Sequence, residues 1–98
     1  PPVIAPPEVL DDPPGTLAAL CAALERPFPP AMLAWPRGPR PEDGVWAPVW
    51  YHTVEASTGF AKPRPEIPFE ALEDRLKPIA EAARQLYEKM REWRLTPA

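Results

Sequence analysis

Apolar and polar positions along this 98-residue chain fall into three regimes. In the first, Leu17, Leu20, Cys21 and Leu24 recur at helical spacing, a stripe that ends before Pro27. Ahead of it, Asp11-Asp12-Pro13-Pro14 reads as a helix start, because an aspartate accepts from the free N–H groups and proline fits the first turn. Glu8-Val9-Leu10 makes one further helical turn. Val3-Ile4 is a β-branched pair too brief to form a sheet, and it reads as a strand end whose partners lie elsewhere. Pro29-Pro30 opens a second short helix with Met32, Leu33 and Trp35 inward, and Pro36 stops it.

In the second regime the periodicity lapses. Residues 36 to 48 are too rich in proline and glycine for a regular element and too aromatic for an indifferent linker. Trp35, Trp46 and Trp50 surround this loop, and the expectation is that they fix its shape. Pro48 suits the first turn of a helix running from about Val49 to Ala56, with Trp50, Val54 and Ser57 on one side. Gly59 is placed for a left-handed helix stop. Residues 60 to 66, with Lys62-Pro63-Arg64-Pro65, read as extended.

The third regime is the strongest helical pattern. Phe69, Leu72, Leu76, Ile79, Ala83, Leu86, Met90 and Trp93 step by three or four, joined by Ala80 and Tyr87. The stripe continues in phase through Pro78, which predicts a proline kink or two abutting helices meeting near Lys77. Glu73–Lys77, Glu81–Gln85 and Glu88–Glu92 form the opposite, solvated face. With no repeat and no strand pattern of useful length, the chain is mainly α as it stands. It reads as one partial domain over residues 1–98. Residues 1–35 supply a strand end and short helices, 36–66 ordered loops around a short helix, and 67–98 the C-terminal helices.

Composition adjusts this picture in three places. The 18 prolines lie between apolar periodic segments, which points to punctuated order rather than disorder. The net charge of −3 offers no field for a nucleic-acid backbone or an anionic membrane, so neither is an expected partner. The single cysteine, Cys21, rules out an internal disulfide and a cysteine-based zinc site, and it fits a reducing cytoplasm. No metal site is expected. Absent asparagine and proline-rich loops fit a thermostable protein, and a GC-rich genome gives the same composition. A start at Pro1-Pro2 without methionine suggests a processed product or a fragment.

Few residues offer chemistry. His52, the one histidine, is either a general base or a half-exposed polar residue on an amphipathic helix. Cys21, among leucines with nothing electropositive near it, reads as a buried, inert thiol. Arg37, Arg40, Lys62 and Arg64 bracket the two loops; guanidinium groups on proline-stiffened loops suit phosphate or sulfate, the competing reading being simple solvation or pairing with Glu42, Asp43 and Glu66. Ser57-Thr58-Gly59 either receives an anion or closes a helix. Trp46, Trp50 and Tyr51 either stack on a base or pack the loop. No phosphate-cradling glycine loop, metal-ligand spacing or serine–histidine arrangement is present. The catalytic residues are therefore unassigned.

Two blocks carry a resemblance. Val3-Ile4, Glu8-Val9-Leu10-Asp11-Asp12-Pro13 and the leucine-spaced helix after them look like a sulfotransferase pattern of strand, acidic-leucine turn and helix. The segment from Met32-Leu33 and Trp35 through Gly38-Pro39-Arg40-Pro41-Glu42-Asp43-Gly44-Val45-Trp46-Ala47-Pro48, Trp50-Tyr51 and Ser57-Thr58-Gly59-Phe60 closely resembles the C-terminal region of bacterial P-loop sulfotransferase-like proteins. The resemblance covers about residues 3 to 61, and the tail matches the family's terminal helices more loosely. It implies the C-terminal helical part of a three-layer α/β P-loop fold with a parallel sheet, the phosphate-binding loop lying outside this chain. It further implies a parent that uses 3′-phosphoadenylyl sulfate, with Arg37 and Arg40 at the donor's 3′-phosphate. The partner it implies is the missing N-terminal part of the same domain or a second chain. The family pattern has histidine where this chain has Val49, and His52 lies three positions later, so no histidine role carries over. On this reading the chain contributes to a donor or acceptor pocket without being catalytic alone. The alternative is a small helical module, a homo-oligomer included, that associates through its C-terminal apolar stripe.

Overall fold

A computed structural model describes residues 1–98. Five α-helices run through it: α1 (Pro6–Asp11), α2 (Pro13–Ala23), α3 (Ala47–Trp50), α4 (His52–Ala56) and α5 (Lys77–Arg91). Short 3₁₀ turns stand at Pro30–Leu33, Pro41–Asp43, Phe69–Ala71 and Asp74–Leu76, and the rest of the chain is irregular. There is no sheet; two isolated β-bridges, Val3 with Arg94 and Ala34 with Gly59, are the only strand-like pairings.

The start of α2 follows from its sequence. Asp12 is the N-cap, its carboxylate accepting from the Gly15 N–H at 3.0 Å, and Pro13 occupies the first turn, where a missing N–H costs nothing. At the other end the Arg26 N–H reaches the Cys21 carbonyl at 2.8 Å and the Glu25 N–H reaches Ala22 at 3.1 Å. This six-to-one closure needs a left-handed residue, and Glu25 takes that role with φ 54°. α2 packs on α1 and on the Pro30–Leu33 turn, burying Thr16, Leu17 and Cys21.

The two ends of the chain meet over α1 and α2. The Leu95 N–H donates to the Val3 carbonyl at 2.8 Å, and the Ala98 N–H donates to that of Gly15 at 3.0 Å. Arg94 Nε donates to Glu8 Oε1 at 2.6 Å in a partly buried ion pair. Thr16, 1% exposed, donates its hydroxyl to the Glu8 carbonyl at 3.1 Å. Val3 thus finds its pairing partner in the chain's own tail, a correction to the expectation that it would need one from elsewhere.

Near Lys77 two elements abut. The turn Asp74–Leu76 ends there, and α5 begins with Pro78 in its first turn, so no kink is required. The helix predicted over 49–56 is instead two short ones, α3 and α4, separated at Tyr51 with ψ 18°. The second helix predicted after Pro29-Pro30 is a single 3₁₀ turn.

The interior is small. Only six of 98 residues are buried, and α5 contributes none of them. The accessible surface is 8080 Å², against about 5,600 Å² for a compact monomer of this mass. The radius of gyration is 16.5 Å, where a compact domain of this length has about 13 Å. Surface that a closed domain would cover is open here.

Candidate functional site

The loop from Pro36 to Pro48 is tied at its base by Trp35. The Trp35 indole Nε1 donates to Ser57 Oγ at 2.9 Å, and that hydroxyl donates onward to the Val54 carbonyl at 2.6 Å. The Trp35 backbone N–H reaches the Thr58 carbonyl at 3.0 Å, beside the antiparallel bridge of Ala34 with Gly59. Phe60 meets the indole edge-on, with centroids 5.2 Å apart and planes at 84°. A buried or half-buried indole stays favourable only when its N–H is satisfied, and Ser57 does this. Ser57 is also the C-cap of α4. Its hydroxyl is therefore committed to the scaffold, which removes it from the anion-binding reading. Gly59 lies outside the left-handed region. It closes against the Leu33 carbonyl, 3.3 Å from where a Cβ would sit, rather than serving as the left-handed stop.

Two glycines turn the loop. Gly38 at φ 117° and Gly44 at φ 79° adopt conformations that L side chains rarely take. The Gly38 N–H donates to the Glu55 carbonyl at 2.8 Å, fixing the rising limb to α4. Between them Asp43 Oδ2 accepts from the Arg40 N–H at 2.9 Å and closes the 3₁₀ turn Pro41–Asp43.

Arg37 and Arg40 both lie on this loop and are exposed. Arg40 Nη2 donates to the Pro36 carbonyl at 3.3 Å, a weak contact that leaves most of the guanidinium fork free. The ion pairs of the chain join Arg75 to Glu73, Lys77 to Asp74, Arg84 to Glu81 and Arg94 to Glu8. Arg37, Arg40, Lys62 and Arg64 take part in none of them, so of the competing readings the pairing with Glu42, Asp43 or Glu66 does not form and solvation stands beside anion binding.

The other tryptophans behave differently from expectation. Trp46 is 68% exposed and Trp50 72%. They sit one helical turn apart and form an open apolar ridge with Val45 and Val49 instead of pinning the loop. Of the three, Trp35 alone fixes the loop. His52 opens α4 and is exposed, without a hydrogen-bonding partner. Cys21 is a buried free thiol with its sulfur 3.9 Å from that of Met32.

The residues that hold this architecture left little trace in the sequence. Glu8 and Arg94 stand 86 positions apart and Trp35 and Ser57 22 apart, and no local periodicity links either pair. Trp35 itself stood among the tryptophans expected to fix the loop; its partner Ser57 was the part without a signal.

A family model for the sulfotransferase domain matches residues 2–93. Among curated proteins, branched-chain-amino-acid aminotransferase-like protein 1 of Arabidopsis thaliana is 55% identical over 65 residues, 60% of this chain. Branched-chain-amino-acid aminotransferase-like protein 2 of the same plant is 52% identical over the same length. The chain spans only 12% of the length of each. No solved structure matches the chain. No helix is long and apolar enough to cross a membrane.

Proposed function

The chain belongs to the sulfotransferase domain family, and from that premise we propose that it forms the C-terminal part of a nucleotide-sulfate binding site. Arg37 and Arg40 hold the 3′-phosphate of the donor, and the phosphate-binding loop and catalytic base come from the preceding part of the same domain or from a second chain. The donor implied is 3′-phosphoadenylyl sulfate, which supplies an activated sulfuryl group for an acceptor hydroxyl or amine. The observation that carries this reading is the pair of exposed arginines whose guanidinium groups form no ion pair, on a loop whose base is fixed by Trp35, Ser57 and Phe60.

The chemistry suits a phosphate. Two guanidinium groups three residues apart across the left-handed Gly38 present planar donor forks toward solvent, and such forks bind tetrahedral oxyanions bidentately. Their loop is anchored at its base before the ligand arrives, so less order has to be imposed on binding. The open surface of the chain fits the same reading, since a family member of this size leaves sides for the rest of the domain to cover. The aminotransferase-like names belong to proteins of which this chain matches 12%, and no aminotransferase chemistry is proposed for it.

Calorimetric titration of the chain with adenosine 3′,5′-bisphosphate tests the assignment. Charge-assisted hydrogen bonds contribute about 1.5–3 kcal/mol each, so Arg40→Ala and Arg37→Ala each weaken binding by roughly ten- to a hundredfold. Lys62→Ala, on the other loop, leaves it unchanged. Absence of binding, or wild-type affinity in both arginine variants, overturns the reading.

A further inference from the structure

The stretch between Phe60 and Phe69 belongs neither to the arginine loop nor to the packing of the helices. Residues 61–68 are all exposed, and residues 61–67 take part in no backbone hydrogen bond. Their sequence nevertheless restricts their shape. Pro63, Pro65 and Pro68 hold φ at about −65°, and the residue before each, Lys62, Arg64 and Ile67, is driven from the helical region into the extended one. Between Lys62 and Pro68 only Glu66 escapes both restraints. Pro68 stands at φ −59° and ψ 144°, close to the polyproline II values of about −75° and 145°.

A polyproline II helix has three residues per turn, which sorts this run into three edges. Lys62, Pro65 and Pro68 share one edge, Arg64 and Ile67 the second, and Pro63 and Glu66 the third. The first two edges together carry the apolar rings, the Ile67 side chain and both cations, while Glu66 is set apart on the third. Ile67 is 74% exposed. Lys62 and Arg64 enter none of the ion pairs of the chain.

We propose that Lys62–Pro68 is a docking segment for an SH3-type domain. Pro65, Ile67 and Pro68 lie against the aromatic rings of its groove, and Lys62 meets carboxylates at the groove's end. Three observations select this partner. The first is the backbone: three of the seven residues lack an N–H, so the segment cannot extend a sheet edge as a strand.

The second is charge. Lys62, Arg64 and Glu66 alternate with the prolines and have no partners within the chain, so enclosure in a domain interior would desolvate three unpaired charges within five residues. A shallow groove leaves the Glu66 edge in water, lets the Arg64 stem pack while its head reaches the rim, and offers carboxylates to the cations. The third is spacing. Pro65 and Pro68 are one turn apart on the edge that Lys62 begins, so the run already has the shape such grooves take and little order is imposed on docking.

Amide NMR of the chain titrated with an isolated SH3 domain, one whose groove ends in carboxylates, tests this. Shifts are expected at Lys62, Arg64, Glu66 and Ile67, saturating at submillimolar domain. Pro65→Ala and Pro68→Ala each weaken binding by about tenfold, and Lys62→Glu by at least as much. Pro63→Ala, on the outer edge, weakens it by less than about threefold. No shift at these amides at millimolar domain overturns the proposal, as does undiminished affinity in both Pro65→Ala and Pro68→Ala. Tighter binding to a WW domain overturns the choice of groove, and loss of binding once the preceding part of the domain is supplied would assign the segment to that domain's interior. A chain that ignores the SH3 domain yet binds adenosine 3′,5′-bisphosphate overturns the docking alone and leaves the donor reading intact.

Discussion

In α2, Thr16, Leu17 and Cys21 are buried, whereas the longer α5 buries no residue. The sequences of the two helices are arranged for opposite surroundings. α2 is apolar on nearly every side, with Leu and Ala around the stripe, and such a helix is stable only when covered from several directions. The chain supplies part of that cover from α1, the Pro30–Leu33 turn and the tail. α5 separates a charged face from an apolar one and holds itself in water by local means, including the Glu81–Arg84 pair and Pro78 in its first turn. Cohesion of the chain therefore resides at α2, and α5 leaves its apolar face open.

The strongest way to break this comparison is to truncate one leucine on each helix. Leu17 is 8% exposed and Leu86 65%. Leu17→Ala should cost about 2–3 kcal/mol, the lower part of the range for buried leucines because the core is shallow. Leu86→Ala in dilute, monomeric protein should change stability by no more than about 0.5 kcal/mol, as exposed positions do. Urea denaturation followed by circular dichroism measures both, and equal costs would erase the distinction.

Arg94→Ala comes next. It strands the Glu8 carboxylate, whose Oε2 is already buried without a partner. Full burial of such a pair would make the loss larger, but both side chains keep about a third of their exposure, so about 1–2 kcal/mol is expected. Hydrogen exchange at the Leu95 and Ala98 amides should speed up with it, because the tail loses its anchor. Unchanged exchange at these amides would show that the ion pair does not hold the two ends together.

Glu25→Gly sharpens the comparison from the other side. Glu25 is the one non-glycine residue held at positive φ, in the closure of α2. Glycine there removes the left-handed penalty and should stabilise by about 0.5–1 kcal/mol, seen as a higher urea midpoint. A lower midpoint would mean that the Glu25 side chain contributes something the backbone does not reveal.

The smallest effect belongs to α5. The hydrogen bond from Arg84, aided by that residue's charge, holds the Glu81 carboxyl below its ordinary value and the Arg84 guanidinium above its own. A depressed carboxylate stabilises the folded form above its unfolded-state pKa, and that contribution is lost as pH falls through the folded value. Both groups are at the surface, so the gain is slight, yet the displaced midpoint is measurable. Side-chain carbon NMR should place the Glu81 midpoint below that of an unpaired glutamate. In Arg84→Gln it should return to the ordinary value; a midpoint that stays put would remove the cause assigned.

Much of the scaffold was legible because its causes are local. Asp12 and Pro13 announce the start of α2, and the stripe through Leu86 announces α5 with Pro78 inside its first turn. What escaped depended on distance or on competition. The Val3–Leu95 pairing and the Glu8–Arg94 pair join opposite ends of the chain, which no window of neighbours can register. The single helix expected over 49–56 breaks at Tyr51, in a stretch where β-branched Thr53 and Val54 weaken helix propensity. At the loop, aromatic content alone did not separate Trp35, which has a hydroxyl acceptor in Ser57, from Trp46 and Trp50, which have none. The exposed, unpaired state of Arg37 and Arg40 likewise depended on where Glu42, Asp43 and Glu66 turned out to point.

The functional claim rests on that loop, and amide NMR of the chain titrated with adenosine 3′,5′-bisphosphate tests it most directly. The account predicts shifts confined to the segment from Arg37 to Gly44, with the amides of α2 unmoved. Shifts centred on other segments, or none at saturating nucleotide, would contradict it.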